Sequence, residues 1–190
     1  MNIVVERSRL QGSIDIPASK SHTIRAVVIA SLAEGTSCIR SPLDSGDTRS
    51  AVQGCRALGA AIETGAQLVV RGVAGRPRLT LPRIDLGNSG TSLRLLISAA
   101  ALQDGEAVFD GDASLKTRPL QPLLDAVNNL GGSARSLSGN GFCPVSVRGR
   151  MRGGRTGVSG VTSQFLSSLL ISAPLLDGDT EIHVAALNEK

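Results

Sequence analysis

Aromatic side chains are nearly absent from this sequence: its 190 residues include three Phe and neither Trp nor Tyr. A hydrophobic core must therefore be built from Leu, Val, Ile and Ala. The scarcity also argues against binding of single-stranded nucleic acid, which depends on aromatic rings that stack on the bases. The three cysteines show no CxxC spacing, so neither a disulfide framework nor a zinc site is predicted.

Long apolar runs and targeting signals are also missing. No apolar run reaches the roughly 18 residues that span a bilayer, and the first residues lack the basic-then-apolar order of a signal peptide. The formal net charge is +4, with the basic residues spread out. This balance suits a small anionic ligand better than a nucleic-acid duplex, although an ordinary solvated surface explains it equally well. We predict a cytoplasmic protein with reduced thiols, and neither a membrane nor a nucleic-acid partner.

The sequence does contain an internal repeat. Three stretches share one order: a short β-type run, small and hydroxyl residues, an apolar helix, a glycine and a second strand. They begin IDIPASKSHTIRAVV, IDLGNSGTSLRLL and VSGVTSQFLSSLL. Arg25 and Arg94 occupy the same place in the first two stretches, 69 residues apart. In these first two stretches, an amphipathic helix that ends at a glycine follows. The sequence therefore predicts an α+β fold of βαβαββ units, each about 70 residues long, with about two and a half units present.

The repeat also predicts where the helices lie and how the chain continues. Helices are expected near residues 20–33, 47–58, 90–102, 118–130 and 162–173. The three equivalent helix starts, one in each repeat, should meet, so that Lys20, Arg25, Ser163 and Gln164 converge on one concave surface. After TEIHVAALNEK the pattern requires another amphipathic helix to cover the last strand. We therefore expect this chain to be part of a longer protein.

The first helix start carries the residues Ser19, Lys20, Ser21 and Arg25. Free N–H groups and the positive end of the helix dipole favour an anion there. Lys20 adds a mobile cation, and Arg25 follows about one turn later, where it can hold a carboxylate or phosphate with two hydrogen bonds. The alternative is N-capping with a solvated Lys and Arg.

Three further segments stand at comparable places in the repeats: 86–94, 116–119 and 161–165. In the first, glycines on either side of Asn88-Ser89 let backbone amides approach a ligand closely. The segment 161–165 offers hydroxyls and an amide, and 116–119 offers two cations. Helix capping and surface charge remain the alternatives for these segments.

Together these motifs resemble one family. PASKSHTIRAVVIASL resembles the shikimate-binding motif of the 5-enolpyruvylshikimate-3-phosphate synthases, and LGNSGTSLR resembles their LGNAGTxxR, with Ser89 in place of Ala. Residues 112–127 and VTSQFLSSLLISAPL match two further motifs of the family. The four motifs occur in the family's order, and the resemblance runs from about residue 11 to the end of the chain. The sister family that acts on UDP-sugars normally has Lys-Asn instead of Lys20-Ser21 and a reactive cysteine where DASLKTRP has none.

The resemblance implies which residues bind the substrates. Shikimate 3-phosphate would be bound by Lys20, Ser21, Arg25, Thr162, Ser163 and Gln164. Phosphoenolpyruvate would be bound by Lys20, Gly90, Arg118 and Gln164, with Asn88 and Arg94 in support. His22 matches a variable position and is predicted to be exposed.

The activity implied is transfer of the enolpyruvyl group from phosphoenolpyruvate to the 5-hydroxyl of shikimate 3-phosphate, with release of phosphate, in aromatic amino-acid biosynthesis. The family needs no metal or cofactor, and its catalytic acid and base lie in a second domain, which is expected beyond this chain.

Residues 1–16 would form a strand or linker towards that domain. Residues 17–190 would form the shikimate-phosphate-binding αβ prism, cut in its third repeat. We expect a monomeric full-length protein and an inactive isolated chain. The alternatives are a non-catalytic fragment that binds phosphate-bearing ligands and a relative of the UDP-sugar transferases.

Overall fold

The computed structural model describes residues 3, 4, 6, 7, 9 and 11–185, so parts of the predicted segment 1–16 and residues 186–190 lie outside it. The helices within this range are α1 (Lys20–Leu32), α2 (Gly46–Ala57), α3 (Gly90–Ala100), α4 (Gln121–Asn129) and α5 (Ser163–Ser172). The strands are β1 (Thr36–Arg40), β2 (Ala61–Thr64), β3 (Gln67–Arg71), β4 (Arg83–Asp85), β5 (Glu106–Asp110), β6 (Ser133–Ser136), β7 (Val145–Arg148), β8 (Gly154–Ser159) and β9 (Thr180–Ala185).

The strands form one sheet for each repeat. The strand orders are β1-β3-β2, β4-β5-β7-β6 and β8-β9. In the second and third sheets the opening strand lies parallel to the strand that follows the helix, while the remaining pairs are antiparallel. The second repeat is therefore a whole βαβαββ unit, which confirms the predicted α+β fold and its repeat.

The first repeat differs from the prediction at its opening strand. Residues 13–17 form no strand, and Ile14 and Ile16 are 85% and 81% exposed. Within the described residues β1 pairs with β3 alone, so the edge that β4 occupies beside β5 is open here. Strand formation needs a hydrogen-bonded neighbour, and this segment does not turn back onto β1. The prediction of an opening strand in the first repeat is wrong for the described residues.

The helices begin close to the predicted positions, with one shift. Ser19 caps α1 by accepting a hydrogen bond from the His22 amide at 3.3 Å, and Thr162 caps α5 in the same way. The helix expected near 118 begins instead at Gln121, after a 3₁₀ turn over Leu115–Thr117. Arg118 is extended, with φ −92° and ψ 123°, because a residue before proline is driven out of the helical region.

The core holds α1, α3 and α5 together and thereby positions their starts. Its members are chiefly Leu, Val, Ile and Ala, as predicted, with Phe109 and Phe165 as the aromatic contributions. The packing of α2 on α3 is close because Gly54 lies against Leu96: a Cβ added to Gly54 would come within 2.3 Å of the Leu96 Cδ1. The starts of α1, α2 and α3 consequently open onto one cleft.

Candidate functional site

A cleft of about 490 Å³ lies where α1, α2 and α3 begin. Lys20, Gly46 and Gly90 are the first residues of these helices. Because the first N–H groups of a helix have no partner within the helix, three such starts around one space favour a bound anion. The full lining is Lys20, Gly46, Asp47, Ser50, Gly87, Asn88, Gly90, Thr91 and Arg118.

Lys20 is held at the cleft by Asp47, with 2.6 Å between Nζ and Oδ2. The Lys20 side chain is half exposed, whereas that of Asp47 is 24% exposed and lies in the first turn of α2, where the helix dipole favours a carboxylate. Asp47 is not among the predicted site residues. A signal was available, because Asp47-Thr48-Arg49 in the first repeat corresponds to Lys116-Thr117-Arg118 in the second.

Arg118 lies over the start of α3. Its Nη2 donates a hydrogen bond to the Asn88 Oδ1, and its Nη1 occupies space that a side chain at Gly90 would need, since an added Cβ would lie 2.5 Å away. Gly90 therefore both exposes its backbone and leaves room for a guanidinium. A cation and a helix start meet here without an intervening side chain.

Gln164 connects the third repeat to the cleft. Its Nε2 donates to the Oγ1 of Thr91 at 3.1 Å, and its Oε1 accepts from Nη1 of Arg94 at 2.7 Å. Thr91 itself lines the cleft. The Thr162 hydroxyl accepts a hydrogen bond from the backbone N–H of Gln164 at 3.3 Å. Ser163 is the first residue of α5.

Arg25 lies between α1 and α5. Its Nη2 donates to the Ser167 Oγ at 3.1 Å, and its Nη1 donates to the Ser21 carbonyl at 3.3 Å. The structure thus places Lys20 in the cleft, joins Gln164 to the cleft through Thr91, and ties Arg25 to α5. Lys20, Asn88, Gly90 and Arg118 line the cleft, but Ser21, Arg25, Arg94, Thr162, Ser163 and Gln164 lie outside its lining. His22 is exposed, as predicted.

The buried thiols contribute no nucleophile near this site. Burial raises the pKa of Cys55 to about 12, and chiefly burial raises that of Cys143 to about 11, so both stay protonated at neutral pH. Among the described residues, no group of three or more His, Cys, Asp or Glu could hold a metal ion. Across the same residues, no helix has the length and apolar character needed to cross a bilayer.

Comparison with known proteins identifies the family of this chain. The family described as EPSP synthase (3-phosphoshikimate 1-carboxyvinyltransferase) matches residues 4–189. A 3-phosphoshikimate 1-carboxyvinyltransferase of Acetivibrio thermocellus is 54% identical over 190 residues, which are 100% of this chain and 45% of that protein. Another, of Methanothermobacter thermautotrophicus, is 50% identical over 180 residues, which are 94% of this chain and 43% of that protein.

A solved structure shows the same fold. The structure of EPSP synthase from Acinetobacter baumannii superposes with a TM-score of 0.84 at 26% identity, covering 94% of this chain and 41% of that one. The fold is therefore the α+β fold of the enolpyruvyl transferases. Within them, the chain belongs to the EPSP synthase family, which sets aside the UDP-sugar alternative. The chain spans less than half the length of the curated relatives it matches.

Proposed function

We propose that the protein containing this chain transfers the enolpyruvyl group of phosphoenolpyruvate to the 5-hydroxyl of shikimate 3-phosphate. The observation that carries the proposal is the match to 3-phosphoshikimate 1-carboxyvinyltransferases along the whole chain. The cleft supports it, because Lys20 and Arg118 bring two cations to a space bounded by three helix starts. Such a space suits ligands that carry phosphate and carboxylate groups.

The proposal assigns roles to the residues around the cleft. Shikimate 3-phosphate is held by Lys20, Ser21, Arg25, Thr162, Ser163 and Gln164. Phosphoenolpyruvate is held by Lys20, Gly90, Arg118 and Gln164. Lys20 serves both substrates because its exposed ion pair with Asp47 is weak enough to exchange for a ligand anion. Asn88 supports the site by accepting a hydrogen bond from Arg118, and Arg94 supports it through Gln164.

The chemistry requires groups beyond this chain. Addition of the hydroxyl to C2 and protonation of C3 need a positioned base and a positioned acid, and loss of phosphate follows. We infer that both groups come from the remainder of the protein, because Asp47 is the single carboxylate that lines the cleft among the described residues, whereas the reaction needs two groups. The isolated chain is then a binding surface without turnover.

We also propose that residues 1–16 lead towards a second domain. Among the described residues of this segment, Ile3, Val4, Ile14 and Ile16 are each at least 80% exposed. Burial of exposed apolar side chains by another surface lowers the free energy. Hydrogen exchange tests this: the amides of residues 11–16 should exchange at least tenfold more slowly in the complete protein than in the isolated chain. Equal rates would contradict the assignment.

A chimera tests the activity. Residues 1–190 are joined to the remaining residues of the Acetivibrio thermocellus relative, and phosphate release is measured with both substrates. The chimera should release phosphate, whereas the isolated chain should not exceed background. Turnover by the isolated chain would show that the acid and base are misplaced. A folded chimera without turnover, beside an active relative, would favour a non-catalytic role. Light scattering of the chimera tests the predicted monomer.

A further inference from the structure

Arg94 has an unusual set of partners for a partly buried cation. Its Nη1 donates to Gln164, its guanidinium lies 5.3 Å from the centre of the Phe165 ring, and its Nε is buried without a hydrogen bond. Within the described residues no carboxylate forms an ion pair with it. A guanidinium normally forms fork-like pairs with carboxylates or phosphates, so its contact with a neutral amide calls for an explanation.

The contact determines which end of the Gln164 amide faces which neighbour. A guanidinium donates hydrogen bonds and accepts none. The carbonyl oxygen of Gln164 must therefore face Arg94, and the NH₂ group must face Thr91, which lines the cleft. An amide turned over would aim its NH₂ at the cation and its oxygen at the side where anions are expected to bind.

Arg94 is itself held in place by the helix that carries Gln164. The Ser168 hydroxyl donates to the Arg94 carbonyl at 2.5 Å, and it also contacts the Ser98 hydroxyl at 2.7 Å. The backbone and the guanidinium of Arg94 are thus fixed to α5 at two points one helical turn apart. The first repeat lacks this arrangement, because Arg25 donates to Ser167 instead.

We propose that Arg94 is a positioning residue that locks the Gln164 amide with its N–H donors towards the cleft. The link from this orientation to substrate binding rests on the proposed function, but the orientation itself does not. Arg94 then acts through Gln164 and needs no contact with a substrate.

The orientation can be measured without any ligand. In the ¹⁵N-labelled 190-residue chain, the Gln164 side-chain NH₂ resonances are identified by their loss in Gln164→Ala. They should show a nuclear Overhauser effect to the γ-methyl of Thr91. Arg94→Met should weaken this effect several-fold and Arg94→Lys should restore part of it. Arg25→Met, the matched change in the first repeat, should leave it unchanged.

A second variant keeps the test decisive where Arg94→Met fails to fold. Thr91→Val removes the acceptor and keeps methyl groups at the same place. The effect should persist, because Arg94 still holds the amide oxygen. Loss of the effect in Thr91→Val, or an unchanged effect in a folded Arg94→Met, would overturn the proposal.

The chimera tests the consequence for binding. Arg94→Met should raise KM for shikimate 3-phosphate about ten- to a hundredfold, because a donor to a charged oxygen is lost. In a Gln164→Ala background the same change should raise KM less than about twofold. An equal rise in KM in both backgrounds would show that Arg94 acts independently of Gln164. Inactivity of the unmodified chimera would contradict the proposed function and leave the spectroscopic result standing.

Discussion

The first and second repeats share one strand order but differ in how completely their sheets are formed. Ile39 in β1 pairs with Leu68, and Phe109 in β5 pairs with Val145, at corresponding positions. Phe109 is 0% exposed, with β4 beside it, whereas Ile39 is only half-buried on an edge. The same local pattern therefore produces different burial, because burial depends on a neighbour that the pattern does not contain.

The two repeats also differ in the chemistry of corresponding helix starts. The first presents Lys20, a cation paired with Asp47, while the second presents the backbone at Gly90 beneath a guanidinium from elsewhere in its repeat. A repeated scaffold thus provides similar backbone donors at each start. The side chains added to it decide which repeat carries charge.

The largest expected effect tests the difference in burial. Phe109→Ala should lower the free energy of unfolding by about 3–5 kcal/mol, because it leaves a cavity in a closed core. Ile39→Ala should cost about 1 kcal/mol, since the edge is already open to water. Urea unfolding of the isolated chain measures both. Similar losses of unfolding free energy for the two variants would contradict the difference in burial between the repeats. In the chimera, Ile39→Ala should lower the free energy of unfolding further if an additional strand covers β1.

The next effect tests the charge at the first helix start. In the chimera, Lys20→Ala should reduce kcat/KM for both substrates ten- to a hundredfold, because a charge-assisted contact is worth about 1.5–3 kcal/mol. His22→Ala is the control: it changes an exposed side chain two residues along the same turn and should alter kcat/KM less than about twofold. Steady-state kinetics measures kcat/KM for both variants. A drop below twofold for Lys20→Ala would mean that the second repeat supplies the essential cation.

A smaller effect is expected at the junction between the two repeats. Gly54→Ala should destabilise the chain by about 1–2 kcal/mol, because overpacking against Leu96 exceeds the gain in helix propensity. The matched control is Gly46→Ala in the same helix, where an added Cβ meets open space and should not destabilise. Thermal unfolding of both variants measures this. A stabilised Gly54→Ala variant would show that α2 and α3 can separate without cost.

Local sequence features explain why most helices could be predicted. Ser19 and Thr162 are capping residues before apolar runs, and the structure uses both as caps. The predicted start of α4 is too early, because Pro119 keeps Arg118 out of the helical region and the correspondence with the first repeat does not include this effect. Periodicity and capping thus predict the type of an element better than its first residue.

Long-range pairing explains what could not be predicted. The open edge of β1 depends on where residues 13–17 go, and no pattern within those residues determines it. The contact between Arg94 and Gln164 joins residues 70 positions apart, so the sequence identifies both residues but not the orientation of the amide. The ion pair between Lys20 and Asp47 also joins two different helices, so the motif around Lys20 does not indicate its partner.

The smallest effect concerns Asp110, which ties the second sheet together at a position where the first repeat has Arg40. Burial disfavours its charge, but hydrogen bonds from the Gly111 amide, Lys116 and Arg83 outweigh this and hold the pKa of Asp110 below its usual value. Arg83 belongs to β4, so this carboxylate joins the opening strand to β5, with 2.6 Å between Nη2 and Oδ2.

A carboxyl whose pKa is lower in the folded state stabilises that state above the unfolded pKa of about 3.9, and the contribution is lost as pH falls through the folded value. Asp110→Asn should therefore cost about 0.5–1 kcal/mol at neutral pH, and wild type and variant should converge towards pH 3. Asp44→Asn is the control in the first repeat, because its partner Arg49 holds the pKa of Asp44 low although the two side chains are 69% and 71% exposed. Urea unfolding at several pH values should show a smaller change for Asp44→Asn. If the loss of unfolding free energy in Asp110→Asn stayed constant down to pH 3, the contribution of Asp110 would come from packing and hydrogen bonding and not from its charge.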